Sequence, residues 1–289
     1  MVTPAIDAET CTRCGTCVAE CPVSALTLVG TSGDGPPPPV VAEDLCFDCG
    51  HCGAICPTGA VRSAEGEFVA WHAPEIEPGD VKAFLTGRRS VRRYRADPVG
   101  RDVIEELLSV APFAPTASNA QDVGATIVTG DRVFELATQV NAYYLSFETL
   151  LRRWYLWPLL WFTAARPYLK SPRKIAAIRT RAQRFDREHD WLFFRAPAVV
   201  VLSAPRKNRA FGRTNSVIAA ERMMQYAFAL GLGSCWIGYA EVALQRRSAI
   251  AEWIGIGPDR CPQAVFTLGR PAVEYHRLPV RRPLSVRWV

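Results

Sequence analysis

Apolar and polar positions divide the chain into stretches of helical and extended period. In "RDVIEELLSVAPFAP", Arg101 to Pro115, the residues Val103, Ile104, Leu107, Leu108 and Ala111 share one helix face, so the stretch reads as an amphipathic helix. Before it, "AWHAPEIEPGD" is a proline-spaced linker, with Asp80 placed to N-cap a short helix beginning near Val81. After it, the small residues of "APTASNAQDVGATIVTG" form a loop leading into a strand at Ala125 to Val128. Further on, the apolar run Trp154 to Ala165 is too short for a membrane span and is broken by Pro158.

The cysteines stand outside these patterns. The chain has 10 in 289 residues, and "CTRCGTCVAECP" and "CFDCGHCGAICP" each place four of them as C-x2-C-x2-C-x3-C-P. Gly15 matches Gly50, Pro22 matches Pro57 and Ala25 matches Ala60 at the same 35-residue offset (46 − 11), so the segment is an internal repeat. Three chemistries use clustered cysteines. Disulfides are disfavoured because "MVTPAIDAET" lacks the basic region and apolar core of an export signal. Zinc sites pair two cysteines at each of two knuckles and have no use for a third at the same spacing. A cubane iron–sulfur cluster does, because one loop of consecutive turns wraps three irons and the fourth ligand comes from elsewhere.

About the first 70 residues resemble a bacterial two-cluster ferredoxin, in which the last cysteine of each run serves the other cluster. The resemblance assigns Cys11, Cys14, Cys17 and Cys56 to one [4Fe-4S] cluster, and Cys46, Cys49, Cys52 and Cys21 to a second. The proline-bearing insert "TSGDGPPPPVVAED" reads as a surface loop between the repeats rather than a recognition peptide. His51 reads as an exposed filler position rather than a donor to a cluster sulfur.

About 220 residues remain, enough for one sizeable domain with a full core. The 49% hydrophobic content fits a globular protein, and the net charge of +6 rests on arginine, which is not taken as a nucleic-acid signature. No G-x-G-x-x-G follows a strand, so a dedicated nicotinamide domain is not expected.

The arginine-rich "RRSVRRYRADPV", Arg88 to Val99, suits a phosphate and a polar ring edge. R-R-S-x-R-x-Y followed after one helix by A-P-T-x-x-N-x-Q resembles the FMN-dependent nitroreductase superfamily. "RAPAVVVLSA", "AAERMMQYAFALGLGSCWIG" and "FTLGRP" agree in order with that family's later strand, core helix with glycine-punctuated strand, and final strand and turn. The resemblance implies an α+β fold: a small ferredoxin-like domain at residues 1–75, then a nitroreductase-type sandwich at 76–289 that forms an intertwined homodimer. It further implies that Arg88, Arg89 and Ser90 meet the FMN phosphate and ribityl chain, and that Arg92 approaches the pyrimidine edge. Pro115, Thr116, Ala117, Asn119 and Gln121 are expected to border the ring from the facing subunit, and Ile237 and Gly238 to present backbone to flavin N5. In the tail, Arg282 is the better match to a second phosphate-binding arginine, with Arg281 the alternative. Asp122 and Val123 stand where many relatives carry proline and tryptophan, which leaves that loop's outer wall open. Cys235 and Cys261 read as inert thiols, since no activating base lies nearby in sequence.

An insert at about 139–195 interrupts the resemblance. It reads as a helical lid over the flavin rather than as a segment docking on a membrane or nucleic acid. Tyr143, Tyr144, Trp154 and Trp157 are candidates to stack on a planar substrate, and Arg152 and Arg153 to attract an anionic one.

The expected activity is a cytoplasmic flavin-dependent oxidoreductase. Its clusters relay electrons to FMN, which reduces a nitroaromatic, quinone or activated alkene by hydride transfer from N5. An external low-potential donor such as a ferredoxin, or NAD(P)H, supplies the electrons. Two alternatives are kept: a module passing electrons to a partner protein, and an oxidase or dehydrogenase running the relay in reverse.

Overall fold

The computed structural model describes residues 3–28, 38–63, 66, 68–161, 171–208 and 210–289. Residues 31–37 of the proline-bearing insert and 162–165 of the Trp154 to Ala165 run lie outside them. Contacts divide the chain into two units: residues 1–76 with Ala117–Ala120, and residues 77–116 with 121–289.

In the first unit, β1 (Ala5–Ile6) pairs antiparallel with β4 (Val61–Arg62), and β2 (Leu26–Thr27) with β3 (Val40–Val41). Helices α1 (Thr16–Glu20) and α2 (His51–Ala54) occupy equivalent places in the two repeats. Each is entered through a left-handed glycine, Gly15 at φ 73° and Gly50 at φ 75°. A Cβ is disfavoured in that conformation, so the glycine in C-x-x-C-G lets the chain turn straight from the cysteine loop into the helix. The core is small: Leu26, Val61 and Cys52 are buried, with Ile6, Val18 and Val41 against them.

The second unit is built on an antiparallel sheet in the order β5-β6-β8-β7, formed by β5 (Gly124–Thr129), β6 (Ala198–Pro205), β8 (Arg260–Gly269) and β7 (Gly233–Trp236). The seven residues Ala198 to Ala204 of β6 are all buried. Side chains alternate across a strand, so this run serves two faces at once. Val199 and Val201 join Val265 in a core beneath α5 (Asp131–Leu151), α9 (Gly238–Arg246) and α10 (Ser248–Trp253). Ala198, Val200 and Leu202 join Ala264, Phe266 and Leu268 in a second core with α4 (Arg101–Ser109) and α8 (Gly212–Ala229). The result is a mixed helix-and-sheet sandwich with one sheet buried on both faces.

Two boundaries differ from the periodicity. Helix α3 (Pro78–Gly87) starts before Val81, with Glu77 rather than Asp80 at its N-cap. Pro78 sits in the first turn, where its missing N–H costs nothing, so the proline counted as linker belongs to the helix. Helix α4 stops at Ser109, not at Pro115, and separate turns at Ala111 and Ala114 carry the chain onward. The strand expected at Ala125 to Val128 is β5.

Residues 139–195 do not begin at an element boundary. They start inside α5, whose Val140, Tyr144 and Leu151 are core residues. After α5 come a short turn at Trp154–Leu156, α6 (Trp157–Leu160) and α7 (Pro172–Gln183). Asn141 of α5 donates to the Ala182 carbonyl at 3.0 Å, and buried Glu148 accepts from Arg179 at 2.6 Å, so α7 is tied to α5.

Candidate functional site

The first unit gathers its repeat cysteines into two cavities. One is lined by Cys11, Cys14, Cys17 and Cys56, the other by Cys46, Cys49, Cys52 and Cys21. Each cavity therefore takes three cysteines from one repeat and the last cysteine of the other, and all eight are free thiols. Among the described residues no three His, Cys, Asp or Glu side chains stand close enough to share one metal ion. Such spacing disfavours a mononuclear zinc site and leaves room for a cubane, whose four irons each take one sulfur.

Hydrogen bonds to sulfur differ between the cavities. The Thr16 hydroxyl lies 3.2 Å from Cys14 Sγ and the Thr58 hydroxyl 3.7 Å from Cys56 Sγ. At the second cavity the donors are backbone, Ala25 N–H to Cys21 at 3.2 Å and Asp48 N–H to Cys46 at 3.4 Å. The thiol of Cys14 is held below its usual range, chiefly by the Thr16 hydroxyl, whereas burial pushes Cys52 up to about 11. His51 lines the second cavity.

In the second unit the arginine-rich segment runs beside β7: Ser90 bridges Ser234, and the Val91 N–H donates to the Ser234 carbonyl at 3.0 Å. The two faces of this seam open on two cavities. Arg88 and Arg89, with Gly233 and Ser234, line one of about 400 Å³, closed on its other side by Pro271 to Leu278. Arg92, Ile237 and Gly238 line another of about 690 Å³, whose wall includes Tyr144, Arg181, Trp191, Phe194, Trp236 and Tyr239. That volume lies within the range of small-molecule sites.

The polar groups left open here are informative. Nε and Nη1 of Arg88 are buried with no partner, and so is the Ser234 hydroxyl. A buried guanidinium without an acceptor is costly, and an anionic group seated on it removes the cost. Arg89 spends Nη1 and Nη2 on the carbonyls of Arg88 and Thr86, while its Nε is likewise buried without a partner. Ile237 N–H is tied to the Val265 carbonyl at 2.8 Å, and Gly238 opens α9, where a Cβ would meet nothing within 4 Å. The cavity thus has open space at a helix start whose first N–H groups have no intrahelical acceptor. These features fit a phosphate-bearing, ring-containing cofactor of the FMN kind.

The far wall of the larger cavity rests on α5. Tyr144 donates to the Tyr239 carbonyl at 2.9 Å and makes edge contacts with Trp191 and Tyr239. Trp191 Nε1 donates to Asn141 at 3.0 Å. Asp190 accepts the N–H groups of Leu192, Phe193 and Arg195, closing a turn in which Phe194 and Arg195 are left-handed at φ 56° and 57°. Such backbone is strained for large residues and persists only where its surroundings hold it. Here it turns Phe194 toward Arg92, whose guanidinium lies 5.8 Å from the ring centre.

The remaining expected residues are distributed as follows. Pro115, Thr116, Ala117, Asn119 and Gln121 line neither cavity. They form a loop with left-handed Ser118, Asn119 and Gln121, in which Gln121 N–H donates to the Thr116 hydroxyl. Asn119, within the first unit, donates Nδ2 to the Asp48 carbonyl at 2.5 Å. Arg281 and Arg282 are exposed in an extended tail. Of the lid candidates, Tyr144 lines the large cavity, Tyr143 stacks on Phe147, Trp154 is 76% exposed, and Arg152 and Arg153 are exposed. The side chain of Trp157 lies outside the described residues. Cys235 lines the cavity but is buried, and desolvation pushes its thiol up with only partial relief from Arg92. Sequence reading missed Arg181, Trp191, Phe194, Trp236 and Tyr239. The aromatic run "DWLFF" just before "RAPAVVV" was the available signal for Trp191 and Phe194, while nothing marked Arg181.

Comparison with known proteins places this geometry. The model of the nitroreductase family matches residues 85–270, and that of the 4Fe-4S dicluster domain matches residues 10–60. No curated protein sequence matches the chain. Among solved structures, a nitroreductase with bound FMN from Bacteroides fragilis aligns at 18% identity and TM-score 0.55, covering 73% of this chain and 98% of its own. One with bound FMN from Desulfitobacterium hafniense aligns at 16% and 0.53, covering 74% and 100%. An FMN and NADPH-dependent nitroreductase from a Sphigopyxis strain aligns at 21% and 0.52, covering 74% and 99%. At these identities the likeness is one of fold.

Proposed function

We propose, on the premise that this chain belongs to the nitroreductase family, that it is an FMN-dependent oxidoreductase coupled to two [4Fe-4S] clusters and acting on a small planar organic acceptor. The observation that carries the reading is the pair of buried, unpartnered guanidinium nitrogens of Arg88, Nε and Nη1, in the cavity beside β7, in a chain whose other unit sorts eight cysteines into two cavities of four. In this reading residues 1–75 hold the clusters, and residues 76–289 hold FMN with 139–195 contributing the lid.

Bound FMN supplies a two-electron step, hydride leaving from N5, and the clusters supply electrons singly. The chain's own residues do the rest. Arg88 and Ser234 receive the phosphate end. Arg92, held against Phe194, keeps a fixed cation at the edge of the large cavity, where charge developing on the flavin's pyrimidine edge is stabilised without reorganisation. The N–H groups opening α9 at Gly238 would be the backbone donors offered to flavin N5. Tyr144, Trp191 and Tyr239 form an aromatic wall that excludes water and stacks a flat acceptor of the nitroaromatic, quinone or activated-alkene class. Protons come from solvent.

The reading includes a cytoplasmic homodimer, because the loop from Pro115 to Gln121 and the tail arginines line neither cavity of their own chain. The tail also leaves Leu278, Val280, Leu284 and Trp288 exposed, as expected of a segment that lies on a second copy. Among the described residues no helix is long and apolar enough to cross a membrane. The donor is a low-potential protein such as a ferredoxin, or NAD(P)H, the Sphigopyxis enzyme being NADPH-dependent.

The test is anaerobic mixing of cluster-replete protein with NADH, NADPH or reduced ferredoxin, following the oxidised-flavin band. Bleaching by the low-potential donor is expected. Absence of bleaching by any donor, dithionite included, contradicts the reading.

A further inference from the structure

The two four-cysteine cavities are alike in their ligands and unlike in everything else, and the 35-residue repeat makes the comparison position by position. Thr12, Arg13 and Thr16 line the cavity of Cys11, Cys14, Cys17 and Cys56. Their repeat partners Phe47, Asp48 and His51 line the cavity of Cys46, Cys49, Cys52 and Cys21. Thr58 lines the first cavity, and its partner Val23 lines the second. The first cavity therefore holds three hydroxyls and a cation where the second holds an aromatic ring, an imidazole, a valine and a carboxylate.

Solvent access differs in the same sense. Cys14 is exposed, whereas Cys52 is 8% exposed. Phe68 covers the second cavity so closely that a Cβ on Gly53 would stand 2.1 Å from its ring. The repeat partner of Gly53 is Val18, so the glycine is what admits the aromatic cover on one side only.

From this asymmetry we infer that the two clusters have unequal reduction potentials, the one held by Cys11, Cys14, Cys17 and Cys56 being the higher. Reduction adds one negative charge to a cluster. Hydroxyl donors to its sulfurs, a nearby guanidinium and contact with water each stabilise that charge and raise the potential, while an apolar cover and a carboxylate lower it. The hydroxyls, the guanidinium, the exposure of Cys14 and the Phe68 cover point the same way, and only the backbone N–H donors to Cys21 and Cys46 act in the opposite sense. The first electron entering the protein's cluster pair rests at the Cys14 side.

The inference depends on the two-cluster reading, and one experiment separates the two. Full-length, anaerobically reconstituted protein is titrated potentiometrically with EPR detection, alongside iron analysis. Two resolved one-electron cluster steps are expected. Thr16→Val and Thr58→Val move only the upper step to more negative potential, and Phe68→Ala moves only the lower step to more positive potential by admitting water. Iron analysis giving a single cubane per chain overturns the two-cluster reading itself. Two cubanes with coincident steps, or a Thr58→Val shift confined to the lower step, overturn the asymmetry alone.

Discussion

The Tyr94 hydroxyl lies 2.7 Å from the hydroxyl of Thr267, on the strand at the centre of the second unit's sheet. It also reaches the Val91 carbonyl at 2.7 Å, and Thr267 in turn donates to the Cys235 carbonyl at 3.3 Å. Burial pushes the Tyr94 phenol well above its usual pKa, so it remains a neutral donor. This ring adds a side-chain tie to β8 and β7 beside the backbone bonds of the Val91 N–H with Ser234 and the Arg95 N–H with Arg270, on the segment that sets Arg92 at one cavity and Arg88 at the other.

Tyr94→Phe removes the hydroxyl and keeps the ring. It leaves buried oxygen atoms short of a partner, at a cost of about 1–3 kcal/mol. The expected outcome is a lowered melting temperature together with weaker FMN binding, because both arginines lose their register. Calorimetry and flavin-fluorescence titration read the two effects; weakened binding without destabilisation would contradict the anchoring role.

Arg88→Ala behaves differently. Nε and Nη1 of this half-buried side chain are buried without an acceptor, so its removal is expected to leave the FMN-free protein as stable as before, or more so. Loss of charge-assisted hydrogen bonds of about 1.5–3 kcal/mol weakens FMN by about 10- to 150-fold. Riboflavin, which lacks the phosphate, is the control: its affinity should be unchanged. An equal loss for both ligands would place the phosphate elsewhere.

How far the sequence carried this picture depends on the kind of signal. The cysteine repeat was legible because metal ligation imposes strict local spacing, whereas the cross-repeat grouping came from the resemblance to two-cluster ferredoxins. The unbroken apolar run of "AVVVLSA" marks a strand buried on both faces. The start of α3 was missed because Pro78 serves equally as linker and first helical residue. The cavity wall was the least legible part. Lid aromatics were sought after Tyr143, yet Trp154 points into solvent while Trp191 and Phe194 arrive from a turn closed by Asp190. That turn depends on backbone hydrogen bonds and two left-handed residues, neither of which leaves a periodic trace. Arg181 reaches the cavity only because Asn141 and Glu148 pin α7 to α5, a tertiary fact with no local pattern.

Arg181 gives the cavity a second lining cation in addition to Arg92. An acceptor carrying a carboxylate is therefore expected to bind better than its neutral analogue. Arg181→Ala should raise KM about fivefold for the charged acceptor, roughly 1 kcal/mol as befits an exposed charge, and leave kcat and the neutral acceptor unaffected. Steady-state kinetics with a matched pair of nitroaromatics, run at low and high salt, decides it. Equal changes for both acceptors would mean that Arg181 supports the wall rather than reading charge.

Removal of the iron should act on the two units unequally. Among the described residues the first unit has four two-residue strands, two helices of five and four residues, and a core whose fully buried members are few. A core in a domain of that size supplies no more than about 3–5 kcal/mol, so its fold needs the cross-link that cluster ligation provides between repeats. The second unit has two separate apolar cores on a sheet of its own and needs no such support. Anaerobic chelation is therefore expected to abolish hydrogen-exchange protection at the amides of Asp7 and Ala42, which donate to the carbonyls of Ala60 and Ala25, while those of Val200 and Phe266 stay protected. If Asp7 and Ala42 keep their protection without iron, apolar packing holds the first unit together, and the cysteines serve the clusters without serving the fold.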